Sequence, residues 1–256
     1  MASVDGHTPR KSSQANLFLS PGKPGPAAAL LRVTALGNAG FLLSSGTTTL
    51  FLDPFIQASH GSQPIGEGLL AKDSSILITH DHWDHLNVRA VIEAAGRGAL
   101  VVAPEPAIRT LSRQVAKRSL IQLEPDNVGV RATAEVPGAR ITAFRTRHGQ
   151  AHNSYLVEMN GFRVFDDGDN EHAECLDRSA LQNLDALILC PWQGSGWADF
   201  IEGTRPRHWL LMHMTEEEFV EHERGKFLSD LCDHIPMDPV ALRPGRSIEI
   251  ARRPAA

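Results

Sequence analysis

The sequence predicts an α/β fold, of the α+β kind, in which sheets are layered with helices on the outside. Three observations lead there. Strand-like runs dominate the first part of the chain. Strands then mix with helices, and the whole order occurs twice. Several strands end in His or Asp, residue types that carry chemistry when a rigid scaffold presents them on strand-end loops.

The elements follow in order. Residues 1–26 are rich in Ser, Pro, Gly and Lys and are expected to form a flexible tail. From Leu30 the pattern is that of a strand, with Leu31, Val33 and Ala35 alternating up to the turn Gly37-Asn38-Ala39-Gly40. Phe41-Leu42-Leu43 and Thr49-Leu50-Phe51-Leu52 form a hairpin around Ser45-Gly46. Ser75 to Thr79 is a short apolar strand that runs into His80. Asn87 caps a helix carrying Val88, Val91, Ile92 and Ala95 on one face. Ala99 to Ala103 is a strand and Pro106 to Lys117 a helix. Ile141 to Thr146 leads to His148, and two strands flank the turn Asn160-Gly161 before Asp167-Gly168-Asp169. Ala186 to Cys190 ends in a loop rich in Pro, Trp and Gly. Trp209 to Met212 ends at His213, and Thr215 with Glu218 makes a capping box for a helix from Glu216 to about Asp233.

Composition excludes several classes. The chain has 256 residues, 42% hydrophobic and 21% charged, and a net charge of −5. Bulk positive charge for nucleic acid is absent, and no apolar stretch is long enough to span a membrane. The N-terminus lacks a secretory pattern, and the three cysteines form no C-x-x-C pair, so a cytoplasmic location is expected. The oligomeric state is open, with a homo-oligomer among the options. The unusual number is 12 histidines, because imidazole is the commonest metal ligand.

The central motif is His80-Asp81-His82-Trp83-Asp84-His85, which packs His80, His82, Asp84 and His85 into a stretch of H-x-H-x-D-H. A zinc-like cation takes imidazole nitrogen and carboxylate oxygen at about 2 Å. A turn that presents His80 and His82 on one side and Asp84 and His85 on the other can serve two ions. The plainer alternative is a polar, solvated loop after a strand.

With this motif, Arg147-His148-Gly149, Gly168-Asp169 and Met212-His213, the sequence resembles the metallo-β-lactamase superfamily over about Leu30 to Ile250. The resemblance implies a four-layer αββα sandwich over residues 27–256. Within the superfamily the chain looks most like the branch of L-ascorbate-6-phosphate lactonase and N-acyl-phosphatidylethanolamine phospholipase D, through Leu36 to Gly40, Asp53-Pro54-Phe55 and the Trp of the motif. That branch often has His where this chain has Asn38. Residue by residue, the resemblance implies that His80, His82 and His148 hold one metal, that Asp84, His85 and His213 hold a second, and that Asp169 bridges them. Asp84 and Asp169 are thereby also the catalytic carboxylates. His152 is an alternative to His148. Asp53 is expected to orient a ligating histidine, or else to be a simple strand-end turn residue.

Two divalent ions would lower the pKa of a bridging water and polarise the bond under attack, so no Ser or Cys nucleophile is required. Zinc heads the candidates, and Mn and Fe accept the same ligands. The expected activity is hydrolysis of a small anionic ester, lactone or phosphoester, hence a lactonase or phosphodiesterase. Two competing readings are a mononuclear iron oxygenase on the same fold and a non-catalytic metal-binding relative. Arg147, with Arg145 two residues earlier, is expected to meet the substrate anion, the alternative being a solvated pair. Trp192 and Trp197 form a wall of the substrate pocket, or else pack on the domain edge.

Overall fold

Two seven-stranded mixed sheets face each other, and helices cover both outer faces. The computed structural model describes residues 30–55, 70, 74–149, 151–228 and 234–253, so the tail expected over 1–26 lies outside the described residues. In chain order the strands are β1 (Leu30–Gly37), β2 (Gly40–Ser45), β3 (Thr48–Leu52), β4 (Ser75–Leu77), β5 (Leu100–Ala103), β6 (Leu120–Gln122), β7 (Arg131–Val136), β8 (Ala139–Thr146), β9 (His152–Met159), β10 (Phe162–Asp166), β11 (Ala186–Ile188), β12 (Trp209–Leu211), β13 (Val240–Ala241) and β14 (Ser247–Ala251). The helices are α1 (Val88–Gly96), α2 (Glu105–Leu111), α3 (Trp197–Thr204) and α4 (Glu216–Glu223).

The first sheet has the order β14-β1-β2-β3-β4-β5-β6 and the second β13-β12-β11-β10-β9-β8-β7. Each begins as an antiparallel meander and continues with parallel strands, from β3 to β6 in one and from β10 to β13 in the other. The twofold repetition read from the sequence is therefore a repetition of sheet plan. β14 breaks it by returning to pair antiparallel with β1.

Period-two patterning explains the central layer. Leu31, Val33, Phe41, Leu43, Leu50 and Leu52 meet Ile141, Tyr155, Val157, Phe162, Val164 and Leu210 between the sheets. The opposite face of the first sheet offers Phe51, Ile76 and Ile78 to Ala90, Val91 and Ala94 of α1 and to Ala107 and Leu111 of α2. The second sheet offers Phe165, Leu187, Trp209 and Leu211 to Phe200, Ile201 and Phe219 of α3 and α4. The result is the four-layer αββα arrangement.

Local signals hold where chemistry is local. Asn87 accepts from Ala90 N at 3.1 Å and starts α1. Thr215 and Glu218 form a reciprocal capping box at α4. Asn160 and Gly161 both take positive φ, 48° and 81°, the backbone of a type I′ hairpin turn. Helix lengths differ from expectation. α2 stops at Leu111 rather than reaching Lys117, and α4 stops at Glu223, followed by left-handed Gly225; residues 229–233 lie outside the described residues. Among the described residues no helix is long and apolar enough to cross a membrane.

Candidate metal centre

Four strands of the two sheets deliver their chemistry two or three residues past their last paired position: His80 after β4, His148 after β8, Asp169 after β10 and His213 after β12. Asp53 follows β3 immediately. Facing sheets with a common rim bring these ends together. Three residue groups each place their ligand-type atoms within 4.8 Å of one another: His80, His82 and His148; His80, His85 and Asp169; and Asp84, His85 and His213.

Asp169 lies between the outer two groups. Its Oδ1 is 2.7 Å from His213 Nε2 and 3.3 Å from His85 Nε2. Its Oδ2 is 3.7 Å from His148 Nε2 and 4.0 Å from His80 Nε2. His82 Nδ1 and His148 Nε2 face each other at 3.2 Å, and His85 Nε2 and His213 Nε2 at 3.1 Å. Ring nitrogens that crowd lone pair to lone pair need a proton or a cation between them.

The far sides of four rings, His80, His85, His148 and His213, are held. His85 Nδ1 lies 2.7 Å from Asp53 Oδ2, His148 Nδ1 3.0 Å from Glu171 Oε1, and His213 Nδ1 3.0 Å from Asn38 Oδ1, all acceptors. His80 Nδ1 lies 3.0 Å from Thr79 Oγ1, whose own proton goes to Asp53 Oδ2 at 2.6 Å. Acceptors on Nδ1 put the proton there and leave the Nε2 lone pair aimed into the cluster, the tautomer that a metal requires. His80 Nε2 is buried and has no hydrogen-bond partner among the described residues. A buried orphan nitrogen amid carboxylate and imidazole donors fits a divalent cation by chemistry as well as by position.

Electrostatics agree with a site built for positive charge. Burial pushes the His80 pKa far down, helped by His85 and His152, and keeps this ring neutral. Burial also opposes charge on His85, but Asp53 and Asp169 outweigh it and lift its pKa to about 10. Burial tends to raise the Asp169 pKa, but the bonds to His213 and His85 hold its carboxyl well below the usual range. A metal ion would take the place of the protons that these groups share.

Backbone strain gathers at the same place. Asn38, Asp53 and His213 are three of the six non-glycine residues with positive φ among the described residues. His213 is fixed by its N–H to Asn38 O at 3.0 Å, and Asn38 Nδ2 donates to Asp84 O at 3.0 Å. Asn38 thus holds two ligand-type residues at once, which an imidazole at that position would do with different geometry. Such strained residues persist where surrounding contacts over-determine them.

Sequence reasoning missed the role of His152. It is fully buried, its Nδ1 lies 2.7 Å from Thr146 Oγ1, and its Nε2 accepts from Asp169 N at 2.9 Å. Both nitrogens are thereby engaged, so His152 does not replace His148; it anchors the backbone of Asp169. Gly168 is required beside it, with φ +56 and a hypothetical Cβ only 2.6 Å from His152 Nε2. Beneath lie Asp167, whose pKa burial pushes up to about 7, and Asp166, whose Oδ2 has no hydrogen-bond partner among the described residues. The spacing from His148 offered no signal for these, because their partners come from other strands.

The residues expected to meet substrate are dispersed. Arg145 is paired with Glu124, so the two arginines do not act as a pair on an anion. Arg147 is exposed, and its backbone N–H goes to Asn170 Oδ1 at 3.3 Å. Trp192 is half-buried with its ring edge-on to Phe227 at 5.1 Å. Trp197 corrects the expectation of a pocket wall: it is the first residue of α3 and is buried with its ring 5.6 Å from that of Trp209 in the outer core. Its neighbours from Ala198 to Thr204 are helical because Phe200 and Ile201 have an apolar sheet to cover. Trp83, by contrast, is 73% exposed at the motif and packs edge-on against Phe55 at 5.8 Å.

Comparison with known proteins agrees with this geometry. The chain is 35% identical over 146 residues to a UPF0173 metal-dependent hydrolase of Azorhizobium caulinodans, a match spanning 52% of this chain and 58% of that one. It is 25% identical over 238 residues to a UPF0173 metal-dependent hydrolase of Archaeoglobus fulgidus, spanning 86% and 99%. The fold is similar to that of Igni18, a metallo hydrolase from Ignicoccus hospitalis, with a TM-score of 0.65 and 16% identity over 88% of this chain and all of that one. Residues 48–221, more than half of the chain, match the family described as the beta-lactamase superfamily domain. With this match over the strands that carry the cluster, and with the sandwich around them, the chain belongs to the metallo-β-lactamase superfamily.

Proposed function

We propose that this protein is a hydrolase that works with two divalent metal ions on a small anionic ester, lactone or phosphoester. That it is a metal-dependent hydrolase of the metallo-β-lactamase fold agrees with its superfamily and with the UPF0173 relatives. The dinuclear reading rests on Asp169, whose two oxygens face two separate groups of ligand-type side chains. In this reading His80, His82 and His148 hold one ion, Asp84, His85 and His213 the other, and Asp169 lies between, with zinc the first candidate and Mn or Fe next. When bound, the ions supply an activated water and polarise the carbonyl or phosphoryl oxygen under attack.

The chain's own residues do the rest. Asp53, Thr79, Glu171 and Asn38 hold His80, His85, His148 and His213 in one tautomer and orientation. His152 fixes the backbone of Asp169 and so would keep its carboxylate in place for the ions. The anionic substrate follows from charge. Within the ligand set only Asp84 and Asp169 carry negative charge against two divalent cations, and a bridging hydroxide would remove one more, so the ligand set keeps a positive charge of about one, with the carboxylates of Asp53 and Glu171 behind the rings of His85 and His148. The opening Leu36 to Gly40 and Asp53-Pro54-Phe55 support the lactonase and phospholipase D branch as the source of substrate class.

The test is elemental analysis of purified protein with a screen of lactones and phosphoesters before and after chelation. Close to two ions per chain and chelator-sensitive turnover are expected. Metal-free protein whose activity survives chelation would overturn the proposal.

A further inference from the structure

The second sheet ends at β7, which has β8 on one side and no strand on the other among the described residues. Arg145 N donates to Val130 O at 3.0 Å, which makes these two a hydrogen-bonded pair of the ladder. The register then makes Ala132 with Ala143, Ala134 with Ile141, and Val136 with Ala139 the other bonded pairs. The backbone groups of Arg131, Thr133 and Glu135 therefore point away from β8, toward the open edge. The side chains of these three lie on the solvent face, while Ala132 and Ala134 pack inward against the central core.

The segment Val130-Arg131-Ala132-Thr133-Ala134-Glu135-Val136 has a symmetry of its own. About Thr133 it mirrors itself in residue class and inverts in charge. A second β7, turned antiparallel about a twofold through Thr133, would set Thr133 against Thr133, Ala132 against Ala134, Arg131 against Glu135 and Val130 against Val136. Opposed residues of an antiparallel pair share a face, so each charge would meet its opposite and each apolar residue its like. The same arrangement uses the backbone groups that β8 leaves over. Soluble proteins usually guard an open edge with charges that repel an incoming strand. Here the charges are self-complementary.

Two further observations agree. Val128 and Val130 are 40% and 44% exposed and stand where β7 begins; only Leu30 and Trp83 join them as exposed large apolar residues among the described ones. The ion pairs that Arg131 and Glu135 make within the chain, to Asp177 at 3.7 Å and Arg140 at 3.6 Å, are long and exposed, so little is lost by exchanging them.

We infer that two copies of this chain pair through β7, joining their second sheets into one continuous sheet across a molecular twofold. The contact is isologous, as closed twofold dimers require. It uses strand addition, in which main-chain bonds supply affinity and side-chain pairs supply register. No ligand-type residue of the metal cluster lies on β7, so the contact can be altered without touching the site.

Sedimentation equilibrium of the full chain tests this. The wild type should have twice the 27.9 kDa mass of one chain. Arg131→Glu turns both symmetric charge pairs repulsive and should weaken the dimer roughly tenfold, less so at high salt. Arg131→Glu combined with Glu135→Arg restores complementarity and should restore the dimer. Thr133→Pro removes an N–H that β8 does not use and should give a folded monomer, with the circular dichroism spectrum of the wild type and a melting temperature that no longer depends on protein concentration. Hydrogen exchange at Arg131, Thr133 and Glu135 should be slow in the wild type and fast in Arg131→Glu. A wild type that is monomeric at about 100 μM, well above the dissociation constants of specific dimers, would overturn the inference. So would a dimer indifferent to Arg131→Glu and Thr133→Pro, or edge amides protected in a monomer, which would mean that another segment of the chain covers β7.

Discussion

Replacing Asp53 with Ala removes three hydrogen bonds from one buried point. Asp53 is 1% exposed and accepts from Thr79 N at 2.8 Å, Thr79 Oγ1 at 2.6 Å and His85 Nδ1 at 2.7 Å. The Thr79 hydroxyl and the His85 ring can seek other partners by rotation or by a change of tautomer. The Thr79 amide, fixed by the backbone, cannot. An unsatisfied buried donor costs about 1–3 kcal/mol, and each hydrogen bond to a charged group contributes about 1.5–3 kcal/mol. With partial relaxation of two of the three donors, metal-free Asp53→Ala should lose about 3–5 kcal/mol, a large part of the typical 5–15 kcal/mol of a domain. The second expected effect is on metal. Without its carboxylate partner the His85 ring is no longer oriented, and affinity should fall about 10–100-fold. Urea unfolding of chelated wild type and variant measures the first effect. Metal titration of Asp53→Asn, which keeps the shape of the side chain, measures the second. Metal-free Asp53→Ala within about 1 kcal/mol of wild type, below the cost of even one orphaned donor, together with unchanged metal affinity in Asp53→Asn, would refute this account of how the rings are held.

Three other outcomes are expected. Gly168→Ala places a methyl 2.6 Å from His152 Nε2 at φ +56 and should lower stability by at least about 2 kcal/mol in thermal melts; an unchanged melting temperature would mean that this turn can move freely. Trp197→Ala should cost about 3–5 kcal/mol of unfolding free energy by opening a cavity against Trp209, with KM unchanged; a raised KM in a fully stable variant would return Trp197 to the substrate pocket. Arg147→Ala should reduce kcat/KM by about 1.5–3 kcal/mol for anionic esters and leave neutral esters alone if this exposed side chain reads the anion; equal loss on both, or none, removes it from recognition.

Much of the candidate site was legible because its signals are local. His80, His82, Asp84 and His85 are neighbours in sequence, and His148, Asp169 and His213 each stand just beyond an apolar run that could be read as a strand. Asn87, Thr215 and Asn160-Gly161 act within a few residues of themselves, so their caps and turn were equally plain. The residues that hold the ligands from behind were not. His152 looked like an alternative ligand, and only the packing of β8 and β9 against the turn at Asp169 occupies both of its nitrogens. Trp197 sat in a loop-like stretch rich in Gly and Pro, and only the apolar outer face of the second sheet makes it helical and buried.

The sequence by itself determined the class of fold and the strand-end placement of the ligand-type residues, because periodicity, caps and motifs are written over short spans. The tertiary structure decided which side chains face one another across the two sheets. It set Asp169 between two groups of imidazoles, committed Arg145 to Glu124, gave Asn38 two residues to hold and left β7 at an edge. Those outcomes depend on contacts between residues far apart in the chain. Their energies come from burial and charge neutralisation, which exist only once the layers have closed.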